Sequence, residues 1–432
     1  MKLAGWGRYP VIDAQVVTAR DDRHAAATIQ QPGALIARGL GRSYGDASLN
    51  ERALHTGRLN YFLDFDGASG LLTAESGVTL AEITRAFLPR GWALATTPGT
   101  WFVTLGGAIA GDVHGKNHHI HGCFSECVEW FDLLLADGAT VRCSRGEHAD
   151  LFLATCGGMG LTGVITRAAL RLRRIPGSII AQTTVKAANL DDTLALFEEH
   201  ARAPYSVAWI DCLAGGSRLG RSLLMSGEEM DDGRYEVPAP VKLNVPFDCP
   251  SYLLNSYSVR LFNFLYYERV RRRRVTEAVG YGKFFYPLDA IANWNRLYGA
   301  SGFVQYQFVA PKEASRSLLK EVLRKISAAG KGSFLAVLKL MGKENENLLS
   351  FPMAGYTLAL DFKAEPGLWP LLDSLDQLVA AHGGRLYLAK DARMPPALLR
   401  SGYPRLERFQ AVREKYGLTH KFSSLLSRRL EM

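Results

Sequence analysis

The sequence predicts an α+β fold with two domains: a first α+β domain with glycine-rich loops, and a second domain with an antiparallel sheet covered by helices. Three observations predict it. Glycine-rich loops follow short apolar strands in the first third of the chain, as is typical of nucleotide-binding domains. Longer strand patterns at 303–309, 334–340 and 356–362 lie further on, separated by helical patterns such as 312–329. A length of 432 residues also exceeds what one hydrophobic core usually supports.

Composition is that of an ordinary globular protein, with 47% hydrophobic and 22% charged residues. No run reaches the roughly 18 apolar residues of a membrane span, and the N-terminus has no apolar signal-peptide core, so we expect a cytoplasmic protein. The six cysteines are scattered, and we expect reduced, buried thiols. Histidines cluster at 114–121, but carboxylate ligands are sparse around them, and we expect no metal site.

Residues 97–119 carry the strongest signal in the chain. They read TPGTWFVTLGGAIAGDVHGKNHH and combine a proline turn, closely spaced glycines and three histidines. Regular secondary structure does not use this combination, whereas glycine lets main-chain N–H groups approach an anionic or planar ligand directly. The pattern therefore predicts a backbone wrapped around a ligand, in preference to a glycine-rich surface loop.

A second glycine cluster follows the apolar run 34–36, so a short strand feeds a tight loop over 36–46 that carries Arg38 and Arg42. The N–H groups of such a loop form a concavity that binds anions, and arginine adds charge-assisted contacts, which suits a pyrophosphate. Gly39-x-Gly41 alone is weak evidence, because it does not open a βαβ helix. Together with residues 97–119 and the sequence GGMGLTG at 157–163, it predicts a dinucleotide site.

These three loops resemble the FAD-binding signatures of flavoenzymes of the vanillyl-alcohol oxidase and para-cresol methylhydroxylase type. Within that family the chain is similar along nearly its whole length to the decaprenylphosphoryl-β-D-ribose 2′-oxidases, the flavin subunits of an epimerase. The motifs that carry this likeness are GKNHH at 115–119, WNRLY at 294–298, QYQ at 305–307, LYLAKD at 386–391 and RRLE at 428–431.

The resemblance implies FAD as the cofactor. Relatives that attach FAD covalently use a histidine in the pyrophosphate loop, whereas residues 41–44 read GRSY, so we expect non-covalent FAD. The residues that the resemblance places at FAD are Arg38, Gly39, Gly41, Arg42, Ser43, Tyr44, Gly45, Pro98, Gly99, Thr100, Gly106, Gly107, Ala110, Gly111, His114, Gly115, Asn117, Gly160 and Gly163.

The elements follow in order along the chain. Thr79 and Glu82 form a capping box that opens a helix ending near Gly91. The segments 131–135 and 140–143, joined by Asp-Gly, predict a hairpin. We expect the FAD-binding domain to span 1–175 and the substrate domain 176–385. The return of 386–432 to the FAD-binding domain is implied by the resemblance.

Polar residues interrupt apolar strand patterns in the second domain. Alternation over 303–309 places Gln305 and Gln307 on one face of a strand, where two amides could bind sugar hydroxyls. Lys339 interrupts the run 334–340, and Lys390 ends the run 386–389. An ammonium there is costly unless it meets an anion or acts as an acid or base. The structural alternative, a lysine that reaches the surface at a strand end, fits Lys390 better than Lys339.

The resemblance implies that FAD takes a hydride from C2 of a polyprenylphosphoryl-β-D-ribose-like sugar, which leaves a 2-keto sugar. It assigns Lys390, His114 and Tyr387 to catalysis, with Lys390 acting either as a base or as a charged stabiliser. Strict strand alternation would put Tyr387 opposite Lys390, which conflicts with this assignment. Substrate contacts are implied for Lys116, Gln305, Gln307, Lys339 and Asp361. The mycobacterial pattern has a cysteine where this chain has Ala359.

The net charge of +9 has a focus at Arg269 and 271–274, directly after the aromatic-rich stretch 252–267. If that stretch is helical, Leu254, Tyr257, Leu261, Phe264 and Leu265 share one side. Anionic headgroups would attract the arginines, which predicts a peripheral membrane surface over 252–274. A core-facing helix with a solvated basic end is an equal alternative. No nucleic-acid motif accompanies the charge.

Three functions are consistent with these features. The first is an FAD-dependent oxidase of a polyprenylphosphoryl pentose at the inner membrane face. It would perform the first half of an epimerisation that yields cell-envelope arabinose precursors, with an NAD(P)-dependent keto-reductase as partner. The second is a soluble FAD-dependent oxidase of free sugars, alditols or aldonolactones. The third is a flavin-binding protein without catalysis, which the presence of Gln305, Lys339 and Lys390 disfavours.

Overall fold

A computed structural model describes residues 1–238, 241, 243–250 and 252–432. The fold is α+β, as predicted, with helices and mostly antiparallel sheets. Two large sheets dominate it, one formed before residue 175 and one after it. The site lies between them, so their arrangement decides which side chains meet.

The first large sheet has six strands and is antiparallel throughout. Five strands form its path, in the spatial order Thr140–Ser144, Val128–Leu134, Val164–Arg174, Leu71–Glu75 and Phe62–Asp66, and Trp92–Leu94 pairs with the end of Val164–Arg174. A separate parallel sheet has the order Gln15–Thr18, Arg52–His55 and Ile36–Arg38, and Lys2–Ala4 pairs with Val11–Asp13. The α-helices of this part are Asp22–Gln30, Leu80–Phe87, Leu105–Ala110, His118–His121 and Ala149–Thr155, with 3-10 turns at Leu88–Arg90 and Phe124–Cys127.

Local sequence signals in this part are confirmed. The side chain of Thr79 accepts from the N–H of Glu82, and the carboxylate of Glu82 accepts from the N–H of Thr79, which is the predicted capping box. After the 3-10 turn the chain leaves the helix at Gly91, which has φ +76°. The predicted hairpin is present, with Thr140 opposite Leu134 in the register of its two strands.

The second large sheet has eight strands, and every neighbouring pair is antiparallel. Its spatial order is Arg274–Gly280, Ile179–Ala187, Ser222–Glu229, Tyr205–Ile210, Ala336–Met341, Gly355–Lys363, Phe303–Pro311 and Arg385–Leu386. Helices Leu190–Glu199, Lys312–Ala329 and Trp369–Ala381 pack on one face. The remaining elements here are helices Ser256–Glu268 and Tyr281–Phe285, 3-10 turns Gly216–Arg218, Pro287–Ala290 and Trp294–Tyr298, and the parallel pair Leu243–Asn244 and Ile291–Ala292.

Alternation of side chains in the eight-stranded sheet explains why these three helices pack on one face. In Phe303–Pro311, Val304, Tyr306 and Phe308 are buried on the helix side, which leaves Gln305 and Gln307 on the other face. Helix Lys312–Ala329 has the predicted bounds and buries a stripe that includes Leu319, Val322, Leu323 and Ile326. Each such side chain contributes about 1.5–3 kcal/mol on burial. On the face that carries the two glutamines, helix Ser256–Glu268 packs against Trp209 and helix Tyr281–Phe285 against Tyr205, and the part around the glutamines opens to a cavity.

The last segment crosses to the N-terminal sheets. Its helices are Pro396–Gly402, Leu406–Lys415 and Leu425–Arg429. The N–H of Leu35 donates to the carbonyl of Lys421 at 2.8 Å, and the N–H of Leu425 donates to that of Leu49 at 2.7 Å. Arg429 also pairs with the buried Asp46 at 2.9 Å. This segment therefore packs against the loop that carries the first glycine cluster.

Two sequence expectations are wrong in detail. The run 386–389 does not continue as a strand, because the chain turns after Leu386 and the N–H of Lys390 donates to the carbonyl of Tyr387 at 2.9 Å. Leu254 does not share the side predicted for it, since the helix begins at Ser256 and Leu254 packs against the cluster around Trp294. The turn removes the conflict between Tyr387 and Lys390, because strand alternation does not apply there.

Candidate active site

A cavity of about 1410 Å³ lies between the N-terminal sheets and the face of the eight-stranded sheet that carries Gln305 and Gln307. Its walls come from loops that are far apart in sequence. The predicted site residues that line it are Arg38, Gly39, Gly41, Arg42, Ser43, Tyr44, Pro98, Gly99, Thr100, Gly106, Gly107, Ala110, Gly111, His114, Gly115, Lys116, Gly160, Gly163, Gln305, Gln307, Lys339, Tyr387 and Lys390. The fold thus brings both predicted domains to one chamber.

The two arginines of the first glycine loop differ in what they bind. The guanidinium of Arg38 donates to the carbonyl of Ala4 at 2.6 Å and to the hydroxyl of Ser48 at 3.1 Å, so it shapes the loop. The guanidinium of Arg42 stacks over Trp6 at 4.1 Å, and its buried Nε has no partner among the described residues. Arg42 therefore retains donors for an anionic ligand.

Small residues keep this loop close to its neighbours. Gly41 has φ +62°, and a Cβ there would lie 2.1 Å from Nη2 of Arg38. A Cβ at Gly45 would lie 1.6 Å from the carbonyl oxygen of Asp391, so only glycine lets the segment after the last sheet strand cross this loop. That crossing brings Lys390 beside Tyr44, with Nζ 3.8 Å from the centre of the tyrosine ring.

The loop at 97–101 is held by Asp289, which the sequence analysis did not single out. Thr100 Oγ1 and the N–H of Trp101 both donate to its carboxylate at 2.8 Å. Burial raises the pKa of Asp289 to about 6, against these two hydrogen bonds and the charge of Arg42. A Cβ at Gly99 would meet no atom within 4 Å, so this loop presents its backbone to open cavity.

These features fit FAD. Glycine-lined backbone faces the cavity along helix Leu105–Ala110, whose N-cap Thr104 accepts from the N–H of Gly107 at 3.2 Å. Arg42 has an unpartnered buried donor, and the chamber exceeds the 300–1,000 Å³ usual for a single ligand. The loops around Gly41 and Gly99 would hold the dinucleotide part, and the wall from Gly107 to Gly115 would lie against the ring system.

His114 sits in a buried, largely apolar wall. Its Nε2 lies 3.2 Å from Nε2 of Gln307, which also donates to Thr357 at 3.2 Å. Since an amide nitrogen only donates, Nε2 of His114 is the acceptor and the proton belongs on Nδ1, which has no partner among the described residues. Burial, reinforced by the charge of Lys339, lowers the pKa of His114 well below its usual value. His114 is therefore neutral, with one free donor.

Tyr387 contributes its ring and not a free hydroxyl. The hydroxyl donates to the carbonyl of Gly111 at 2.7 Å, and the ring stacks on Phe351 with centroids 4.6 Å apart. Burial raises the pKa of Tyr387 well above its usual value. This geometry makes Tyr387 a support for the glycine-rich wall, because its proton is committed to the backbone.

Lys390 and Asp361 are both buried and influence each other's pKa, Lys390 in the cavity wall and Asp361 behind Gln305. Nε2 of Gln305 donates to Asp361 at 2.6 Å, and the second carboxylate oxygen has no partner among the described residues. Burial raises the pKa of Asp361, opposed by Gln305 and by the charge of Lys390. Burial lowers the pKa of Lys390, opposed by Asp361 and reinforced by Lys339. The pKa of each group thus lies closer to 7 than it does in water.

Two further lysines face the same chamber. Lys116 donates to the carbonyl of Phe284 and lies 4.3 Å from the centre of that ring, while no partner of Lys339 is found in the described part of the chain. Burial and the neighbouring Lys339 lower the pKa of Lys116 to about 7, and burial lowers that of Lys339 to about 8. Cations crowded in this way favour an anionic ligand, because an anion offsets both desolvation and mutual repulsion.

Three predicted site residues do not line the cavity: Gly45, Asn117 and Asp361. Gly45 makes room for the crossing segment, and Nδ2 of Asn117 donates to the carbonyl of Ala95 at 2.7 Å, which anchors the histidine-rich loop. Asp361 stands behind Gln305, as described above. Their assignment to direct ligand contact is therefore corrected to support of the residues that do line the cavity.

Asp112 is a second residue that sequence reasoning missed. It has φ +37°, is buried, and accepts hydrogen bonds from the N–H of Ser125 and from Asn345, Asn347 and Ser350. It thereby clamps the glycine-rich wall to the segment 345–350. Its position within the glycine cluster was a signal, but its three side-chain partners lie more than 200 residues away and no local pattern identifies them.

Comparison with known proteins supports an FAD-binding domain. Residues 14–144 match the family model described as FAD binding domain. Over its full length the chain is 35% identical to decaprenylphosphoryl-β-D-ribose oxidase of Mycolicibacterium smegmatis, of which it covers 97%. It is 34% identical over 82% of its length to an uncharacterized protein of Streptomyces coelicolor, covering all of it, and 32% identical over 26% to human delta(24)-sterol reductase, of which 21% is covered. The protein is thus an FAD-dependent oxidoreductase, and the chain belongs to the family of the decaprenylphosphoryl-β-D-ribose oxidases.

Proposed function

We propose that this enzyme oxidises the 2-hydroxyl of a polyprenylphosphoryl-β-D-ribose-like sugar to the 2-keto sugar. The observation that carries the proposal is the convergence of Lys116, Lys339, Gln305, Gln307 and Lys390 beside the glycine-lined wall. Lys116 and Lys339 match a phosphate, Gln305 and Gln307 match sugar hydroxyls, and Lys390 matches the reacting alcohol. The full-length similarity to an oxidase of such a substrate supports the same choice. Residues 1–175 would bind FAD, and 176–385 would bind the substrate.

In the proposed oxidation the residues of the cavity have separate roles. The chemistry that bound FAD supplies is acceptance of the hydride from C2 of the pentose. Lys390 takes the proton of the 2-hydroxyl, because its lowered pKa leaves a neutral amine population at physiological pH. The neutral His114 holds an unpartnered Nδ1–H in the wall, and Tyr387 keeps the wall at Gly111 in place. Lys339 and Lys116 bind the phosphate, which fixes the sugar beside Gln305 and Gln307.

The test of this proposal is anaerobic bleaching of the flavin. A polyprenylphosphoryl ribose is expected to reduce the flavin rapidly, whereas free ribose, xylitol and galactonolactone leave it oxidised. Rapid bleaching by the free polyols but not by the lipid-linked sugar would reject the proposal in favour of a soluble polyol oxidase. The full-length similarity does not favour that alternative.

Lys390→Ala tests the role of the lysine. The variant should retain FAD and lose about 10²–10⁴ in the rate of flavin reduction, the usual contribution of a positioned base. In the wild type this rate should rise with pH through the lowered pKa and then level off, because the neutral amine is the active form. A rate that falls with pH would assign Lys390 to charge stabilisation. Lys325→Ala, on the exposed side of helix Lys312–Ala329, is the matched control.

FAD is proposed to be held without a covalent bond. In the described part of the chain the cavity wall contains no cysteine and a single histidine, His114, whose Nε2 is engaged by Gln307. Acid precipitation should therefore release all of the flavin into the supernatant. Yellow colour that stays with the washed pellet would contradict non-covalent binding.

We propose that the enzyme acts on a bilayer, at the inner face of the plasma membrane. Helix Ser256–Glu268 exposes Tyr257 and Leu261 to 83% and 60%, while its buried face holds the polar Asn263. The exposed apolar set also includes Tyr252, Leu253, Phe262, Phe264 and Leu265. The exposed Arg271, Arg272 and Arg273 follow directly, and each would contribute about 1 kcal/mol near anionic headgroups. Within the described ranges, no helix has the length and apolarity to span a membrane.

Vesicle sedimentation tests this surface. The protein should bind phosphatidylglycerol vesicles more strongly than phosphatidylcholine vesicles, and replacing the three arginines 271–273 with Gln should remove the difference. The control exchanges Lys320, Arg324 and Lys325, exposed on another helix, for Gln. If both variants lose vesicle binding equally, binding depends on net charge alone and a localised membrane surface is rejected.

The product requires a second enzyme. A 2-keto sugar becomes the arabino epimer only by hydride addition to the new carbonyl, so we propose an NAD(P)-dependent keto-reductase as partner. Supplying such a reductase with NAD(P)H should convert the bleaching product to the epimer. A 2-keto product that no nicotinamide-dependent reductase consumes would argue against the epimerisation.

A further inference from the structure

The face of the eight-stranded sheet that carries Gln305 and Gln307 forms the floor of the cavity, and this floor is divided into two halves. Near the flavin wall it presents Gln305, Gln307 and Lys339. Beyond Lys339, on the strands Ala336–Met341, Tyr205–Ile210 and Ser222–Glu229, the side chains that line it are Val337, Val207, Trp209 and Met225. The polar half suits a sugar phosphate, whereas the side chains named on these three strands are apolar; Thr184 and Gln182 line the cavity on the next strand.

Aromatic side chains wall this apolar half. The ring of Tyr266 lies 4.7 Å from that of Trp209 and stacks on Phe262 at 5.6 Å. The indole N–H of Trp209 donates to the carbonyl of Phe334 at 3.0 Å, so the one polar atom of that side chain is already satisfied. We call this strip, lined by Val207, Trp209, Met225, Phe262 and Tyr266, the chain groove.

The chain groove has a cation at each end. Its inner end adjoins Lys339, and its outer end opens past Val270 to Arg271, Arg272 and the edge strand that begins at Arg274. An occupant that fits must therefore carry an anion at the inner end and remain apolar along its length. It must also leave through a mouth lined by arginines, beside the exposed helix Ser256–Glu268.

We propose that the chain groove binds the first isoprene units of a polyprenyl phosphate. This rests on the proposed function and deepens it, since it names the part of the substrate that the second half of the floor recognises. The phosphate lies at Lys339, the sugar points to Gln305 and Gln307, and the chain runs out over Trp209 to the bilayer. Apolar burial in the groove then supplies binding energy that positions the sugar.

Titration calorimetry of the FAD-loaded protein tests the groove without catalysis. The ligands are geranyl, farnesyl and geranylgeranyl monophosphate, kept below micelle formation, with inorganic phosphate as the chain-free reference. Affinity should rise about tenfold for each added isoprene unit until the groove is full, well below the limit for complete burial of the added carbons. Equal affinities for all three chain lengths would overturn the proposal.

Two variants locate the effect. Met225→Asp places a carboxylate in the groove, and Val275→Asp places one at its mouth on an edge strand, where a half-exposed side chain tolerates the change. Both should abolish the gain with chain length while geranyl phosphate still binds. Met230→Asp is the matched control, because Met230 follows the same strand as Met225 and does not line the cavity. A gain that persists in Val275→Asp and in a folded Met225→Asp would overturn the proposal.

The calorimetric result separates this inference from the reaction. Binding that depends on chain length, in a protein whose flavin no polyprenylphosphoryl ribose reduces, would support the groove and reject the proposed oxidation. Flavin reduction at one rate and one KM for all chain lengths would support the oxidation and reject the groove.

Discussion

Replacing Asp112 with Asn should destabilise the protein. One carboxylate oxygen accepts from Asn345 and Asn347 at 2.8 Å and from Ser350 at 2.6 Å, and the other accepts from the N–H of Ser125 at 3.0 Å. In Asp112→Asn the amide oxygen replaces only one of these two acceptors, so the NH₂ group faces at least one donor and the charge is lost. Hydrogen bonds to a charged group contribute about 1.5–3 kcal/mol each, so the loss is roughly 3 kcal/mol.

Thermal unfolding followed by flavin fluorescence measures this loss. At roughly 2 °C per kcal/mol for a chain of this size, the apparent Tm should fall by about 6 °C. FAD affinity should fall as well, because Asp112 clamps the wall that includes Gly111 and His114. Asp64→Asn, an exposed strand residue, is the control. An unchanged Tm would refute the view that this carboxylate holds the flavin wall to the segment 345–350.

Three further predictions concern the cavity. Arg42→Ala should weaken FAD binding about tenfold to a hundredfold in a fluorescence titration, since its unpartnered donors are the ones free for phosphate; unchanged binding would remove it from the phosphate site. The affinity for farnesyl phosphate should fall as pH rises through about 8, because Lys339 loses its proton there and not near 10.5, and Lys339→Met should remove that step. Ala359→Cys places a thiol on the cavity wall opposite Gln307, so iodoacetamide should block flavin reduction in this variant while the wild type stays active.

Local features of the fold were predictable because they depend on neighbouring residues. The capping box at Thr79, the hairpin at Asp137-Gly138 and the helix Lys312–Ala329 each follow from spacing within one element. The glycines at 39–41 and 106–107 were also recognisable, since close backbone approach leaves a compositional trace. These signals sufficed to predict an α+β chain with a dinucleotide site.

The rest of the site depends on contacts that no local pattern records. Asp289 reaches Thr100 across 189 positions, and Asp112 reaches Ser350 across 238. The run at 386–389 has the apolar character of a strand, yet it turns and thereby brings Tyr387 and Lys390 to the same chamber. Asp361 shares a strand with Ala359 but not its exposure to the cavity. In each case tertiary structure decided between options that the sequence left equal.

One chamber holds both neutral and charged side chains, and their positions link the structure to the chemistry. A site of hydride transfer needs hydrogen-bond donors that are fixed and uncharged. The buried His114 and the backbone wall provide them. In the proposed complex Lys116 and Lys339 lie on the side of the sugar phosphate, where a bound anion offsets the desolvation of their ammonium groups. A neutral polyol would leave these groups buried without a counterion, so lysines that bind a phosphorylated substrate would also disfavour its uncharged analogues.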